Sequence, residues 1–477
     1  MGLALGPRRP WALNDPPHVV FLLDGPGEGD VSGGAVPVAA RTAVLQGAEG
    51  RASRPRRRVH RVFQVPLEKL SPEPGERPTA AAGVLAWVAG IGRDVWLSAP
   101  GATGARGYDY AAANLPDLGL GLKRGPEGRM LLGGASAAGT GAAVAGCRVW
   151  ASGSTGIAAG WLARRAADLG IVRCAADDAA SAAFAALGAG HCGARALAEV
   201  PARDATAVRD AVAWAARAET PAVFLCGGDG AVLGLLAADA QRAPRAVLVP
   251  SSLEDLYRCV DDAFAWAEAY QCPACVLADA ELLRRWETVD VLGPARRRER
   301  GSWADPAGEG AFDRYRDTDT GVSPRAAPGQ ERTLFVADGE DGGLPDRRRG
   351  KLQKKHLAML GSLQGAFSLE GPAGADVTFV AQGCAAGVLR GALETVNAPG
   401  GRRANVLTVR QPVPFPAAGL STVLKGLRAV RLVETHDEDP LRWLIHRETG
   451  FDLRPLRLGS LASTERLTDA LRGALDG

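Results

Sequence analysis

At about 150 residues per domain, a chain of 477 residues accommodates roughly three domains with sizeable cores. Hydrophobic residues at 46% and charged residues at 23% exclude wholesale disorder. Lys+Arg 56 against Asp+Glu 53 leaves +3, too balanced for a general nucleic-acid or membrane-surface binder. Gly 61 and Pro 31 together make about 19% of the chain against a usual ~12%, which signals many turns. No run of eighteen uncharged apolar residues exists, so no bilayer span is expected. Residues 1–17 lack an apolar core and a cleavage site, and the expectation is a cytoplasmic protein.

The first ~125 residues open with a strand at 18–23, a glycine loop at 25–34 and an Ala/Val-rich segment expected to be helical to about Leu45. Strand, glycine loop and helix form the arrangement that cradles phosphates in nucleotide folds, although these glycines also suit a plain turn. A basic run, 54–58, reads as a solvated loop. A strand follows at 59–65 and a helix at 79–90.

From 130 to 290 the alternation is regular. A small-residue helix at 131–146 leads to strand 147–151, helix 155–169 to strand 171–174, and helix 178–188 to strand 195–198. Helix 203–218 leads to strand 222–226, and strands 246–250 and 274–278 flank a helix at 253–270. Short continuous apolar strands between longer helices predict a parallel sheet covered on both faces, with ligands at the carboxyl ends of its strands. Eight cysteines are spread through the chain, and the one CxxC, Cys272-Pro-Ala-Cys275, reads as a strand start. With no second pair, the chain is not expected to carry a metal cluster of its own.

Residues 292–370 break the pattern and read as a long connection, with arginine runs at 296–300 and 347–349 and a basic helix at 351–363, whose charges read as a solvated face, with a partner surface as the open alternative. After 371 the alternation resumes: strand 377–381, helix 386–396, strand 405–409, helix 418–427, strand 429–434 and helix 440–449. This predicts a small βαβαβ domain. No repeat of solenoid length is visible. The expected divisions are 1–125, 126–291, a linker at 292–370, and 371–477.

Several segments then fall into a recognisable order. They are the loop at 25–34, the helix beginning at Thr79, Asp313-Arg-Tyr315, Gly321-Val-Ser-Pro-Arg325 with Pro328-Gly329, Gln382-Gly383, Arg410-Gln-Pro-Val-Pro-Phe-Pro416, Val433-Glu434 and Glu448-Thr-Gly450. In that order the chain resembles the alpha subunit of the 2-oxoacid:ferredoxin oxidoreductases with a gamma domain fused ahead of it, the 2-oxoglutarate type above all. The resemblance implies an α/β fold of three parts: a gamma-like domain, a pyrimidine-type thiamine-diphosphate-binding domain with a parallel sheet, and a transketolase-C-like domain. It implies oxidative decarboxylation of a 2-oxoacid to an acyl-CoA, with electrons passing to ferredoxin. Thiamine diphosphate would lie between this chain and a beta subunit that holds the diphosphate through Mg²⁺. The chemistry requires a carboxylate against the aminopyrimidine ring.

The resemblance places the cofactor loop at 152–159, with Thr155 retained and glycines, Gly153 and Gly156, where the family has prolines. The activating carboxylate falls on Ala179, leaving Asp177 and Asp178 as the nearest candidates. A later substrate loop shortens to Gly227-Gly228-Asp-Gly. The candidate residues are therefore Asp177 and Asp178 for catalysis and Gly153, Thr155, Gly227 and Gly228 for cofactor binding, with no metal ligand. Thr155 and Asp178 also suit helix caps, and Gly227–Gly230 a turn. His191 has no carboxylate paired with it in sequence reach. Three readings stay open: a divergent working subunit, a catalytically degenerate paralogue that still pairs with a beta-like chain, and a nucleotide- or CoA-binding module using the loop at 25–34.

Overall fold

The computed structural model describes residues 2–5, 19–22, 43–46, 61–98, 104–116, 129–153, 156, 158–228, 230–290, 292, 301–305, 310–330, 333–334, 346–397, 401, 403–434, 439–457 and 470–474. The glycine loop at 25–34, the basic runs at 54–58 and 296–300, and Thr155 lie outside them. The chain divides into two compact units near residue 129.

In the first unit, strands β1 (Gly2–Leu5), β2 (Val19–Leu22), β3 (Ala43–Gln46) and β4 (Arg61–Gln64) form one sheet in that order. β1 runs antiparallel to β2, and the remaining pairs are parallel. Residues 43–46 are thus a strand where a helix end was expected; Ala-Val-Leu-Gln is short and uniformly compatible with the pleat between two parallel neighbours. Helices α1 (Leu67–Leu70), α2 (Arg77–Val88), α3 (Arg93–Ser98) and α4 (Ala105–Asn114) follow. α2 and α4 meet backbone to backbone: a Cβ on Gly107 would come within 1.9 Å of the Ala80 carbonyl oxygen. Only glycine permits that approach.

The second unit begins with β5 (Arg129–Gly133) and α5 (Gly134–Val144). Strand and helix then alternate through β6 (Val149–Ser152), α6 (Ala159–Arg165), β7 (Val172–Ala175), α7 (Ala179–His191), β8 (Ala196–Val200), α8 (Ala205–Arg217), β9 (Ala222–Gly227), α9 (Gly230–Ala237), β10 (Ala246–Leu248), α10 (Leu253–Tyr270) and β11 (Pro273–Ala278). The six strands β6–β11 form one fully parallel sheet in the order β10-β11-β9-β8-β6-β7. Alternate residues sort to opposite faces. Trp150, Leu197 and Val223 pack in one layer with α5 and α10, and Ala151, Ala198 and Phe224 in another with α7 and α8. Burial on both faces explains why these strands read as unbroken apolar runs. β11 starts at Pro273, so Cys272 and Cys275 are buried structural thiols, and burial pushes the Cys272 thiol up to about 12.

Then come α11 (Ala280–Arg284), β12 (Trp286–Asp290) paired with β5, and the short parallel pair β13 (Phe312–Asp313) and β14 (Thr333–Leu334). α12 spans Asp346–Gly361. A last sheet, ordered β15-β17-β16-β18-β19, contains β15 (Phe367–Glu370), β16 (Val377–Ala381), β17 (Ala404–Val409), β18 (Val430–Glu434) and β19 (Pro455–Arg457). Helices α13 (Gly383–Val396), α14 (Ala417–Lys425) and α15 (Pro440–Thr449) cover it. Strand β15, within the segment read as a connection, joins this sheet antiparallel to β17. Both apolar layers of the middle sheet continue into the last one, and Arg410 binds α10 through Asp255 at 2.6 Å and Asp262 at 2.9 Å.

Part of the basic helix does not face solvent: Arg347, Arg349 and Lys354 are exposed, but other charges turn inward. Lys351 and Lys355 are fully buried, and their ammonium groups lie 2.6 and 2.7 Å from the carboxylate of Glu219, itself inaccessible. Around this pair the segment 314–355 caps the carbonyl ends of three helices. Arg325 donates to Gly190 O of α7 at 2.6 Å, Arg348 to Arg217 O and Arg314 to Glu219 O after α8, and Lys355 to Gln271 O after α10 at 3.3 Å. Helix carboxyl ends carry partial negative charge and orphan carbonyls, so a surplus of cations is stable there. Burial pushes the Glu219 carboxyl up, but Lys355 and Lys351 more than offset this and hold it below its ordinary range. Burial lowers Lys351 to about 8, against the pull of Glu219.

Removing the one carboxylate leaves two ammonium groups in a dry site. Glu219→Gln should lower stability by about 3–5 kcal/mol in urea unfolding, and adding Lys351→Met should return part of that loss.

Candidate functional site

In an open parallel sheet, a crevice forms outside the carboxyl ends of the strands where the connections reverse direction. In the order β10-β11-β9-β8-β6-β7, the path from β6 goes outward to β7 and then back across to β8. The reversal therefore falls between β6 and β8. At that place Ser152 is in register with Glu199, and Glu199 with Leu225 on β9.

Glu199 is a charged residue, 4% exposed, in a strand whose other members are Ala196, Leu197, Ala198 and Val200. Its Oε1 accepts the backbone N–H of Ala158, at the start of α6, at 3.0 Å. Gly156 lies directly over the other oxygen: a Cβ there would sit 2.6 Å from Oε2. The Gly156 amide donates to Gly153 O at 3.2 Å, closing a tight turn after β6. Beyond Gly153 the space is open, since a Cβ there would touch only Ala176 O, at 3.9 Å. The glycines at 153 and 156 thus let backbone descend onto a buried carboxylate.

Gly227 ends β9 opposite Ala278, and the Gly228 amide continues that ladder to Ala278 O at 3.1 Å. Both lie just past the row of Glu199 and Leu225, so Gly153, Gly227 and Gly228 occupy the same edge of the sheet. The turn expected at Gly227–Gly230 is cut short, because α9 begins at Gly230. Four consecutive small or turn-forming residues hid a helix whose apolar stretch starts directly behind them.

The two aspartates do not join this group. Both follow β7, the edge strand, and both are exposed. Asp178 is the N-cap of α7: it accepts the Ser181 amide at 2.7 Å, and that bond holds its carboxyl below the ordinary range. Neither of the catalytic candidates, Asp177 and Asp178, is therefore sheltered from water in this chain alone. A carboxylate in water is not forced against a ring, and a capping carboxylate is already engaged. The buried carboxylate is Glu199, which the sequence search passed over; a single charge inside a continuous apolar strand was the available signal. His191 ends α7, with Nδ1 3.3 Å from Thr220 Oγ1 and its ring edge-on to Trp214, and burial lowers its pKa.

The last sheet reverses between β16 and β18, and its carboxyl ends are filled from within. Asp279 from the middle sheet accepts the Cys384 amide at 2.8 Å at the start of α13, under the left-handed Gly383 (φ +58°). Glu434, 4% exposed, accepts the Leu441 and Arg442 amides at 3.1 and 3.2 Å, capping α15. Burial raises its pKa to about 7 against those two bonds.

Among the described residues no group of His, Cys, Asp and Glu is arranged to hold a metal, and no helix is long and apolar enough to cross a membrane. No family model and no curated protein matches the chain. Among solved structures it is similar to 2-oxoglutarate:ferredoxin oxidoreductase from Magnetococcus marinus with 2-oxoglutarate, coenzyme A and succinyl-CoA bound: TM-score 0.72 at 20% identity, over 92% of this chain and 85% of that one. A slighter likeness, TM-score 0.42 at 14% identity over 72% of this chain and 97% of the other, is to a split-gene transketolase, an inactive beta4 tetramer. The chain thus has the α/β parallel-sheet fold of the oxidoreductase, as the sequence led one to expect.

Two outcomes follow from these contacts. Gly156→Ala drives a methyl into a carboxylate that is buried and tied to Ala158, and should cost about 1–3 kcal/mol of stability; shortening the acid in Gly156→Ala/Glu199→Asp should recover part of it in a double-mutant cycle. For Glu434 the native pKa is raised above the unfolded value of about 4.5. Native protein therefore keeps a proton that the unfolded chain sheds, and this contribution is full below pH ~4.5 and lost as pH rises through about 7. Glu434→Gln should flatten that slope, which integrates to about 3–4 kcal/mol, in unfolding measured from pH 4 to 8.

Proposed function

We propose that the chain is an alpha-type subunit of a 2-oxoacid:ferredoxin oxidoreductase, working in the cytoplasm with a beta-type partner. It would take a 2-oxoacid, 2-oxoglutarate or pyruvate, to its acyl-CoA with electrons passing to ferredoxin. On this reading 1–125 is a gamma-like domain, 126–291 the pyrimidine-type domain, 292–370 the linker and 371–477 the transketolase-C-like domain. The observation that carries it is a buried carboxylate, Glu199, at the point of the parallel sheet where the strand order reverses, in a fold shared over nearly the whole chain with such an oxidoreductase.

The residues present fit thiamine diphosphate at that crevice. The coenzyme supplies a carbanion that attacks the carbonyl of the oxoacid, and it requires a sheltered carboxylate beside its aminopyrimidine ring. Glu199 would be that group, with Gly153, Gly227 and Gly228 leaving room for close approach and Thr155 on the loop between. Mg²⁺ would be held by the partner. To reach a ring, Glu199 would have to give up the Ala158 amide. Asp177 and Asp178 would take the role only where a partner chain shields them from water.

A second reading, a structural or regulatory subunit without catalysis, is favoured by the commitment of Asp178 to capping and of Glu199 to Ala158. Co-expression with the beta-type partner separates the two. The first expects calorimetric binding of thiamine diphosphate with Mg²⁺, and viologen reduction on adding 2-oxoglutarate or pyruvate with CoA. In it Glu199→Gln lowers the rate at least a hundredfold while the complex still assembles. The second expects an assembled complex with neither binding nor reduction, and that result would discard the enzyme reading.

A further inference from the structure

A cleft of about 910 Å³ opens at the other end of the middle sheet, beside the loop that precedes β10. Its size is that of pockets that enclose a small organic ligand. One wall is the stretch 412–416, buried throughout, in which three prolines carry no N–H and present flat apolar surface beside Phe415. Strand pairing of Val413 with Val247 fixes that wall to the middle sheet. Phe367 and Leu360 continue the apolar lining.

Polar residues interrupt it: Asp239, Gln241, Arg242, His356, Arg447 and Glu448. The Asp239 charge acts on the buried Arg245. His356 of α12 is 9% exposed, and its Nδ1 has no hydrogen-bond partner among the described residues. Arg242, exposed at the rim, forms no ion pair among them. The neighbouring Arg447 differs: Glu448 engages it at 2.5 Å and it stacks over Trp443 at 4.4 Å. The lining therefore offers an apolar slot, one uncommitted cation at its mouth and one uncommitted imidazole in its wall.

We propose that this cleft binds a small amphipathic acid, its flat apolar body against Phe415 and Pro414, its oxyanion on Arg242 and a polar atom toward His356. Arg242 is the natural partner because a guanidinium binds a carboxylate or similar oxyanion through paired, charge-assisted bonds. Burial holds the His356 imidazole below its ordinary pKa, with Glu448 pulling the other way, so His356 adds no charge to the wall at neutral pH. The inference is independent of the oxidoreductase reading, since it uses none of the residues at the crevice.

The test is fluorescence titration of the full-length chain with 1-anilinonaphthalene-8-sulfonate, which joins a flat apolar body to one anionic group. Saturable one-site binding is expected, displaced by 4-phenylbutyrate at roughly tenfold lower concentration than by the neutral 4-phenylbutanol. Arg242→Ala should weaken the dye about tenfold and erase the advantage of the acid over the alcohol. Ala418→Trp, at an exposed lining position in the first turn of α14, should abolish binding with circular dichroism and unfolding midpoint unchanged. Dye binding indifferent to both substitutions, or an alcohol that competes as well as the acid, overturns the proposal. Arg242 is exposed, so its variant remains decisive should Ala418→Trp fail to fold.

Discussion

The buried ion cluster at Glu219 is the constraint on which the second unit depends. One carboxylate faces two lysines and an arginine within a region closed to water, an imbalance that is costly in isolation. It is tolerated because the surrounding acceptors are the carbonyl ends of α7, α8 and α10, whose dipoles point their negative ends at the same place. Three helices that pack on one sheet are thus also tied at their carboxyl ends by one returning segment. Tyr315 completes the arrangement, its ring under the Arg348 guanidinium at 4.2 Å and its hydroxyl on Ala218 O.

This cluster lies behind the helices' carboxyl ends, hence at the amino ends of the following strands. The opposite edge of the sheet carries the crevice between β6 and β8. A rigid amino edge and a loop-built carboxyl edge are complementary requirements, since loops can hold a site only if the strands beneath them do not shift. The same logic governs the last sheet, where Asp279 and Glu434 fill the carboxyl ends and Arg410 and Asp279 bind that sheet to the middle one. One parallel edge is thereby spent on joining the two sheets, and the crevice between β6 and β8 is the edge that keeps open glycine backbone.

How much of this was legible in the sequence divides along the range of the interactions. Helix 253–270 was read to the residue because its signals are local: Ser252 accepts the Asp255 amide, acids occupy the first turn, and Gln271 turns left-handed to stop it. The middle strands were legible because burial on both faces writes itself as an unbroken apolar run. The role of 351–355 was not, since the charges answer to a carboxylate more than 130 residues upstream and a carbonyl 84 residues upstream, and a basic helix bound there has the same pattern as one in water. Local chemistry also misled where two uses compete for one residue. An acid before an alanine-rich helix is as good a cap as a catalyst, and the structure uses Asp178 as the cap.

Glu199 is the sharper case, because here the competing uses converge on one group. Its carboxylate is satisfied by an amide of the very loop that a coenzyme would have to displace, so the closed crevice is stable by itself and opening it costs one charge-assisted hydrogen bond. A ligand that offers an equivalent donor would repay that cost. A crevice floored by backbone and closed on one acid depends on Glu199 and on the glycine above it.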